Sequence, residues 1–348
     1  MRRAILIALF CGLAIPQSAE VVPLPLEPGS VRFAAFGDMG TGGRLQYQVA
    51  QQMAEQHQRF PFDFVLMLGD NLYGGKSPKD FEKKFAIPYK PLLDAGVKFH
   101  AALGNHDTPD QRLYKPFNMN GERFYTFKVA SVRFFALDSN YMDPAQLQWL
   151  ERELKNSGSD WKIAYFHHPL YSSGRAHGSS TELRGLLEPL FVKYGVQVVL
   201  SGHDHSYERV KPQKGVHYFT AGSGGKMKRG NLRNSAFKAA GFDQDCAFVV
   251  MEIAGDQLFF QAISRTGATV DSGVITRATA EAKANLTSRR GSWPIGHVPT
   301  PARVLAEWTI ARAPHSIGES QPAGVAPVPL SARIELGSPG GLARIHLL

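Results

Sequence analysis

The sequence predicts an α/β fold of two packed β-sheets with helices outside. Three observations carry this. Five short apolar runs each deliver Asp, Asn or His to their C-terminal ends. The first half of the chain alternates such runs with stretches of helical periodicity. From Val216 onward the runs succeed one another with only turns between them.

Residues 21–28 are proline-rich and read as extended. Residues 31–37 (VRFAAFG) form the first strand and end in Gly37-Asp38-Met39-Gly40. Residues 44–58 read as a helix with Leu45, Val49, Ala50 and Met53 on one face and glutamines opposite. The run from Phe64 (FVLML) is a second buried strand. It stops at Gly69-Asp70-Asn71, and Tyr73 comes three residues beyond Asp70. Residues 81–85 form a short helix candidate, and Pro88 and Pro91 interrupt the next stretch. Residues 98–103 lead to Gly104-Asn105-His106-Asp107.

Residues 124–129 and 132–137 are adjacent strands, the second ending at Asp138-Ser139-Asn140. Residues 144–156 form a helix with Asp143 as N-cap, Pro144 at the first position and Leu147, Leu150 and Leu154 as the buried stripe. Residues 161–166 lead to His167-His168-Pro169. Residues 181–194 are a further helix, stopped by Gly195. Residues 196–200 lead to Ser201-Gly202-His203-Asp204-His205. Residues 216–220, 247–253, 257–264 and 269–275 are strands, with a hairpin at Ala254-Gly255-Asp256-Gln257. Residues 278–348 lose periodicity and read as a mostly disordered tail containing Pro, Gly and Arg.

The 348 residues are 43% hydrophobic, enough for a sizeable core. The net charge of +9 comes without a dense Lys/Arg run interleaved with aromatics, so no nucleic-acid scaffold is expected. A basic rim that attracts anionic substrates is consistent with the charge. Residues 1–19 read as a secretory signal: Arg2 and Arg3 precede an apolar run over residues 4–15. That run is too short to span a bilayer, which takes roughly 20 residues. Export to the periplasm or the extracellular space is expected, with no stable membrane span after cleavage. Cleavage leaves Cys246 as the only cysteine, which excludes an internal disulfide and a cysteine-based metal or redox site.

In open α/β sheets, ligands bind beyond the carboxyl ends of the strands, where the five motifs fall. Oxygen and nitrogen donors suit hard or borderline metals. Asp and Tyr oxygens suit Fe(III), and Asn, His and Asp together suit Zn, Mn or Fe(II). One carboxylate can bridge two ions, and Asp70 is the candidate. Two ions about 3.5–4 Å apart can clamp the attacking and leaving oxygens of a phosphoryl displacement.

The motif set resembles the purple acid phosphatases, closest to the small tartrate-resistant type, within the calcineurin-like metallophosphoesterases. The resemblance covers roughly residues 31–277. It implies a four-layer αββα sandwich of two mixed sheets, the metallophosphoesterase fold. It also implies a dinuclear centre of Fe(III) plus a divalent ion, Fe, Zn or Mn. On that resemblance Asp38, Asp70, Tyr73 and His205 hold Fe(III), with Tyr73 the source of the purple colour. Asp70, Asn105, His167 and His203 hold the divalent ion. His106 and His177 are the catalytic histidines, binding phosphate and protonating the leaving alcohol, and Asn105 joins them in contacting substrate. The implied activity is acid phosphatase: hydrolysis of small phosphate monoesters by attack of a metal-bound hydroxide.

The chain departs from the family pattern in places. Met39 stands where the small enzymes usually carry Trp. His177 lies one residue further from His167 than the pattern has it, and His168 competes for its role. The segment 140–144 is short, which predicts an open site. Gly222-Ser223-Gly224-Gly225-Lys226 reads equally as a phosphate cradle or as a glycine turn beside a solvated charge. Asp138 matches no ligand motif and reads as structural or supporting. Two other functions stay open: a phosphodiesterase acting on nucleotides or phospholipid head groups, and a non-catalytic phosphate- or metal-binding protein.

Overall fold

The computed structural model describes residues 21–75, 77–277 and two short strands, Ala332–Arg333 and His346–Leu347. Those two strands pair antiparallel within a second compact unit of their own. The expected signal over residues 1–19 lies outside the described residues, as does the rest of the expected tail.

In chain order the first unit carries β1 (Val31–Phe36), α1 (Arg44–Arg59), β2 (Phe64–Leu68), α2 (Pro78–Phe81), α3 (Lys90–Asp94) and β3 (Lys98–Ala102). Then come β4 (Tyr125–Val129), β5 (Val132–Ala136), α4 (Pro144–Asn156), β6 (Trp161–Tyr165), α5 (Thr181–Tyr194) and β7 (Val198–Ser201). The last strands are β8 (Tyr207–Val210), β9 (His217–Ala221), β10 (Lys238–Phe242), β11 (Ala247–Ala254), β12 (Gln257–Ser264) and β13 (Thr269–Thr276).

One sheet has the order β13-β12-β11-β1-β2-β3 and the other β10-β8-β9-β7-β6-β5-β4. Both are mixed. β1, β2 and β3 run parallel, as do β5, β6, β7 and β9, and the flanking strands are antiparallel. Strands buried on both faces need cover on both sides, and the sequence supplies it. Alternate residues of β1 and β2 (Phe33, Ala35, Phe64, Leu66) meet Phe134, Trp161, Ile163 and Tyr165 of the other sheet in the central layer. Their neighbours Ala34, Phe36, Val65 and Met67 face outward against Val49 and Met53 of α1. On the far side Phe135 and Ala164 pack against Leu150 and Leu154 of α4 and Leu187 and Phe191 of α5. Helices, sheet, sheet and helices make four layers, the expected α/β sandwich.

Phe134 sits at the middle of the central layer. Its ring lies 5.4 Å from Phe33, 5.2 Å from Phe64 and 4.9 Å from Phe127. The adjacent Phe135 faces the opposite layer, as alternation requires. Cys246 is buried in the core under α1. Asp143 caps α4 by accepting the Gln146 N–H at 2.8 Å, and Gly195 ends α5 in the left-handed conformation at φ 66°.

Several local expectations need correction. The glutamines of α1 do not all face solvent: Gln46, Gln52 and Gln56 are buried. Gln46 accepts the Gly42 N–H at 2.7 Å and donates to the Lys84 carbonyl, so it ties the first loop to the chain after α2. The helix expected at residues 81–85 starts earlier. Ser77 and Asp80 form a reciprocal capping box ahead of Pro78, and the chain widens into a π-helical turn over Glu82–Ala86. Strands β8 and β10 carry charged residues and lack a clear apolar run, so pattern alone passes over them.

Phe134→Ala is expected to destabilise the fold by about 3–5 kcal/mol, because three ring partners and both sheets meet there. Urea unfolding of the two proteins measures this. A loss below about 1 kcal/mol would contradict the assignment of Phe134 to the central core.

Candidate metal centre

The parallel strands end together, and their exits are tied to each other. The Gly37 N–H donates to the Ala221 carbonyl at 2.8 Å, joining β1 of one sheet to β9 of the other. The Asp38 N–H donates to the Gly69 carbonyl at 3.0 Å, and the Gly202 N–H to the His167 carbonyl at 3.0 Å. At three of these exits a non-glycine residue adopts the left-handed conformation: Asp38 at φ 57°, Asp70 at φ 54° and His203 at φ 69°. Such backbone is costly and gathers at functional sites. Gly69 precedes Asp70 at φ 86°, and a Cβ there would lie 2.7 Å from His167 Nδ1. Only glycine lets the second strand close on that histidine.

The turns bring the predicted ligands into one cluster. Ligand atoms of Asp38, Asp70 and His167 lie within 4.8 Å of one another, as do those of His167, His168 and His203. His167 Nε2 is 3.0 Å from Asn105 Oδ1, 3.1 Å from His203 Nδ1 and 3.4 Å from Asp70 Oδ1. His205 Nε2 stands 3.3 Å from Asp38 Oδ1. The Tyr73 hydroxyl donates to the same Asp38 oxygen at 3.0 Å.

Proton accounting shows what this cluster lacks. His167 is fully buried, and its Nδ1 is 2.9 Å from the Leu68 carbonyl, which can only accept. Nδ1 therefore carries the proton, and in a neutral ring Nε2 offers a lone pair. That lone pair faces the Asn105 and Asp70 oxygens, which are acceptors too. His203 Nδ1 can donate to that lone pair in its Nδ1–H tautomer, whereas the Asn105 and Asp70 oxygens meet it as acceptors, a pairing that a metal ion or a second proton on His167 would relieve. Burial first, and then the neighbouring His167, hold the His203 imidazole down to about 2; the same two causes hold His168 down to about 4. Both rings are thus neutral at ordinary pH, the form that binds metal. Burial and the Asp38 and Asp70 carboxylates push the Tyr73 hydroxyl far above the ordinary tyrosine range. The donor set of carboxylates, imidazoles, an amide oxygen and a phenol fits a metal centre.

The predicted catalytic histidines border the cluster. His106 is exposed, its N–H donates to Asp70 Oδ1 at 3.0 Å, and its ring lies 4.9 Å from Tyr73. The His177 ring lies 3.9 Å from His203 and 6.2 Å from His205. His168 also faces the cluster, with its ring 4.5 Å from His203 and Nδ1 2.8 Å from Ser139 Oγ. Met39 is fully buried in the core beneath the site and does not line it.

Two carboxylates inside the motifs received no role from the sequence. Asp107 accepts from Asn71 N at 3.0 Å, Asn71 Nδ2 at 2.9 Å, Leu72 N at 3.0 Å and Gly104 N at 2.8 Å. It binds the Asp70 turn to the Asn105 turn. Asp204, fully buried, accepts from Ser172 Oγ at 2.5 Å, Gly178 N at 3.0 Å and His177 N at 3.3 Å. It holds the loop that presents His177. The signal was their place within the motifs: Asp204 stands between His203 and His205, and Asp107 directly follows Asn105-His106.

A cleft of about 610 Å3 opens beside Asn105 and His168, with Arg123, Tyr141, Leu183 and Leu186 among its walls. Asp138 serves this wall as a support: it is buried and pairs with Arg123 at 2.9 Å. The Gly222–Lys226 turn packs tightly, and its Gly222 and Gly224 N–H groups are taken by the Ser206 carbonyl at 3.1 Å and the Gly37 carbonyl at 2.9 Å.

The fold and the converging donors define a metal-dependent phosphoesterase. Residues 31–207 match the calcineurin-like phosphoesterase family, and the chain belongs to that family. Purple acid phosphatase 7 of Arabidopsis thaliana is 29% identical over 243 residues, spanning 59% of this chain and 73% of the relative. Tartrate-resistant acid phosphatase type 5 of Oryctolagus cuniculus is 27% identical over 267 residues, spanning 64% and 80%. Among solved structures, purple acid phosphatase PPD1 from yellow lupin seeds superposes with a TM-score of 0.60 at 20% identity, over 72% of this chain and 55% of that one. GAP50, the anchor in the inner membrane complex of Plasmodium, superposes with a TM-score of 0.63 at 19% identity, over 78% and 98%. At these identities the two structures share the fold. No helix among the described residues is long and apolar enough to cross a membrane.

Asp107→Asn removes the charge that four donors share and turns one acceptor into a donor. Metal affinity is expected to fall roughly 10–100-fold, as for other residues that orient ligands. Titration of metal into the stripped proteins measures it, and unchanged affinity would contradict the orienting role.

Proposed function

We propose that this chain is an exported acid phosphatase that hydrolyses small phosphate monoesters at a centre of two metal ions, iron(III) and a divalent ion. The observation that carries the proposal is the set of acceptors closed on one another around His167. Asp38, Asp70, Tyr73 and His205 would hold one ion, and Asp70, Asn105, His167 and His203 the other. Two ions would supply Lewis acidity toward the phosphoryl oxygens and an activated water. Asp70 would serve both ions, and its backbone turn fixes where its carboxylate lies.

The residues around the cluster do the rest. Asn105 and His106 stand on one turn at its exposed side, suited to orient a phosphate. His106 and His177 border the cluster and would pass a proton to the leaving oxygen. The buried walls of Asp38 and His167 keep bulk water from one side of the reacting centre. The cleft toward Tyr141 and Leu186 leaves room for the alcohol portion of the ester.

Asp70→Asn is expected to lose both metals and at least about 10³-fold in turnover of p-nitrophenyl phosphate. Metal analysis beside turnover on the same samples tests this. Full activity in that variant would contradict the bridging role. Activity confined to a phosphodiester would overturn the monoesterase reading, and metal and phosphate uptake without turnover would point to a binding protein.

A further inference from the structure

Lys226 is a cation at the edge of the site to which no step of the chemistry assigns a role. The turn that carries it is fixed on both sides. The Gly224 N–H donates to the Gly37 carbonyl at 2.9 Å, and the Lys228 N–H to the His205 carbonyl at 3.2 Å. A side chain at Gly225 would collide with the Met39 carbonyl, so the turn lies flat on the exit of β1. This places the Lys226 ammonium 4.3 Å from the centre of the Tyr73 ring. Among the described residues Lys226 shows no ion pair or side-chain hydrogen bond, and its partner is the ring. A solvated lysine has no reason to sit there, since exposed ammonium groups gain most from water or a carboxylate.

We propose that Lys226 tunes the metal centre: its ammonium, seated on the Tyr73 ring, stabilises that ring in the electron-rich form it takes as a metal ligand. The inference rests on the reading of Tyr73 as a ligand of iron(III). A ring face is negative, and a cation over it is held by electrostatics. The attraction grows with the electron density of the ring. It lowers the energy of the filled ring orbitals, so moving an electron from the ring to the metal takes more energy. The visible band of the loaded protein lies at shorter wavelength with the cation than without it. The His106 ring also lies beside Tyr73, at 4.9 Å.

The test compares visible spectra of the wild-type protein, Lys226→Met and Lys226→Arg, each loaded with iron and zinc and analysed for metal. The methionine variant is expected to keep its metals and show its band at longer wavelength, by on the order of 10 nm. The arginine variant keeps the charge and should hold the wild-type position within a few nanometres, about the width of error in a broad band. A methionine variant with full metals and an unmoved band overturns the inference. So does an arginine variant that shifts as far as the methionine one. Lys226→Gln is the second neutral variant should the methionine protein fail to load. A wild-type protein that holds iron kept oxidised as iron(III), and has no visible band, removes Tyr73 from the ligands, which is failure of the underlying reading and is told apart by the wild-type spectrum alone.

Discussion

The structure turns on lone pairs that face one another. His167 has spent its only proton on the Leu68 carbonyl, and its free nitrogen is met by the oxygens of Asn105 and Asp70 and a nitrogen of His203. With no cation or further proton, the Asp70 and Asn105 oxygens face that nitrogen as acceptors, and at the buried Asp70 and His167 little water screens the repulsion. Proteins keep such arrangements only where the rest of the fold over-determines them. Here the sandwich does so. Two sheets end at the same level, and backbone hydrogen bonds from Gly37 to Ala221 and from Gly202 to His167 lock the ends in place.

The local means of holding the cluster are as informative as the cluster itself. Three of the residues proposed as ligands, Asp38, Asp70 and His203, sit in left-handed backbone. Carboxylates that bind no ligand satisfy the loops between them. Asp107 collects four donors from the Asp70 and Asn105 turns, and Asp204 collects donors from the loop that bears His177. Two of the five motifs therefore contain both groups that face the cluster and an acid that fixes the turn. This division explains why Gly-Asn-His-Asp and Gly-His-Asp-His are continuous runs: the acid in each belongs to the scaffold of the turn.

Much of this was legible in the sequence. Apolar runs of five or six residues buried on both faces can be read from composition, and so can the acids and histidines at their ends. The helices α4 and α5 carry their own start and stop signals in Asp143-Pro144 and Gly195. The rest depends on partners distant in the chain. Gln46 looks like a surface residue until the Lys84 carbonyl arrives from 38 positions away. β8 and β10 have too few apolar residues to be seen, and they are placed by pairing, β8 with β9 and β10 with β8. Lys226 reads as a solvated charge in sequence, and only the packing of its glycine turn against β1 brings it to Tyr73.

The fold itself does not decide activity. The donors decide it, and the central claim is that they exist to hold metal that does phosphoryl chemistry. The most direct measurement is metal content and p-nitrophenyl phosphate turnover on one purified sample, before and after a chelator and after metal is restored. The account predicts about two metals per chain and turnover that disappears with the metal and returns with it. A folded sample that takes up no metal, or one whose turnover survives complete metal removal, would contradict it.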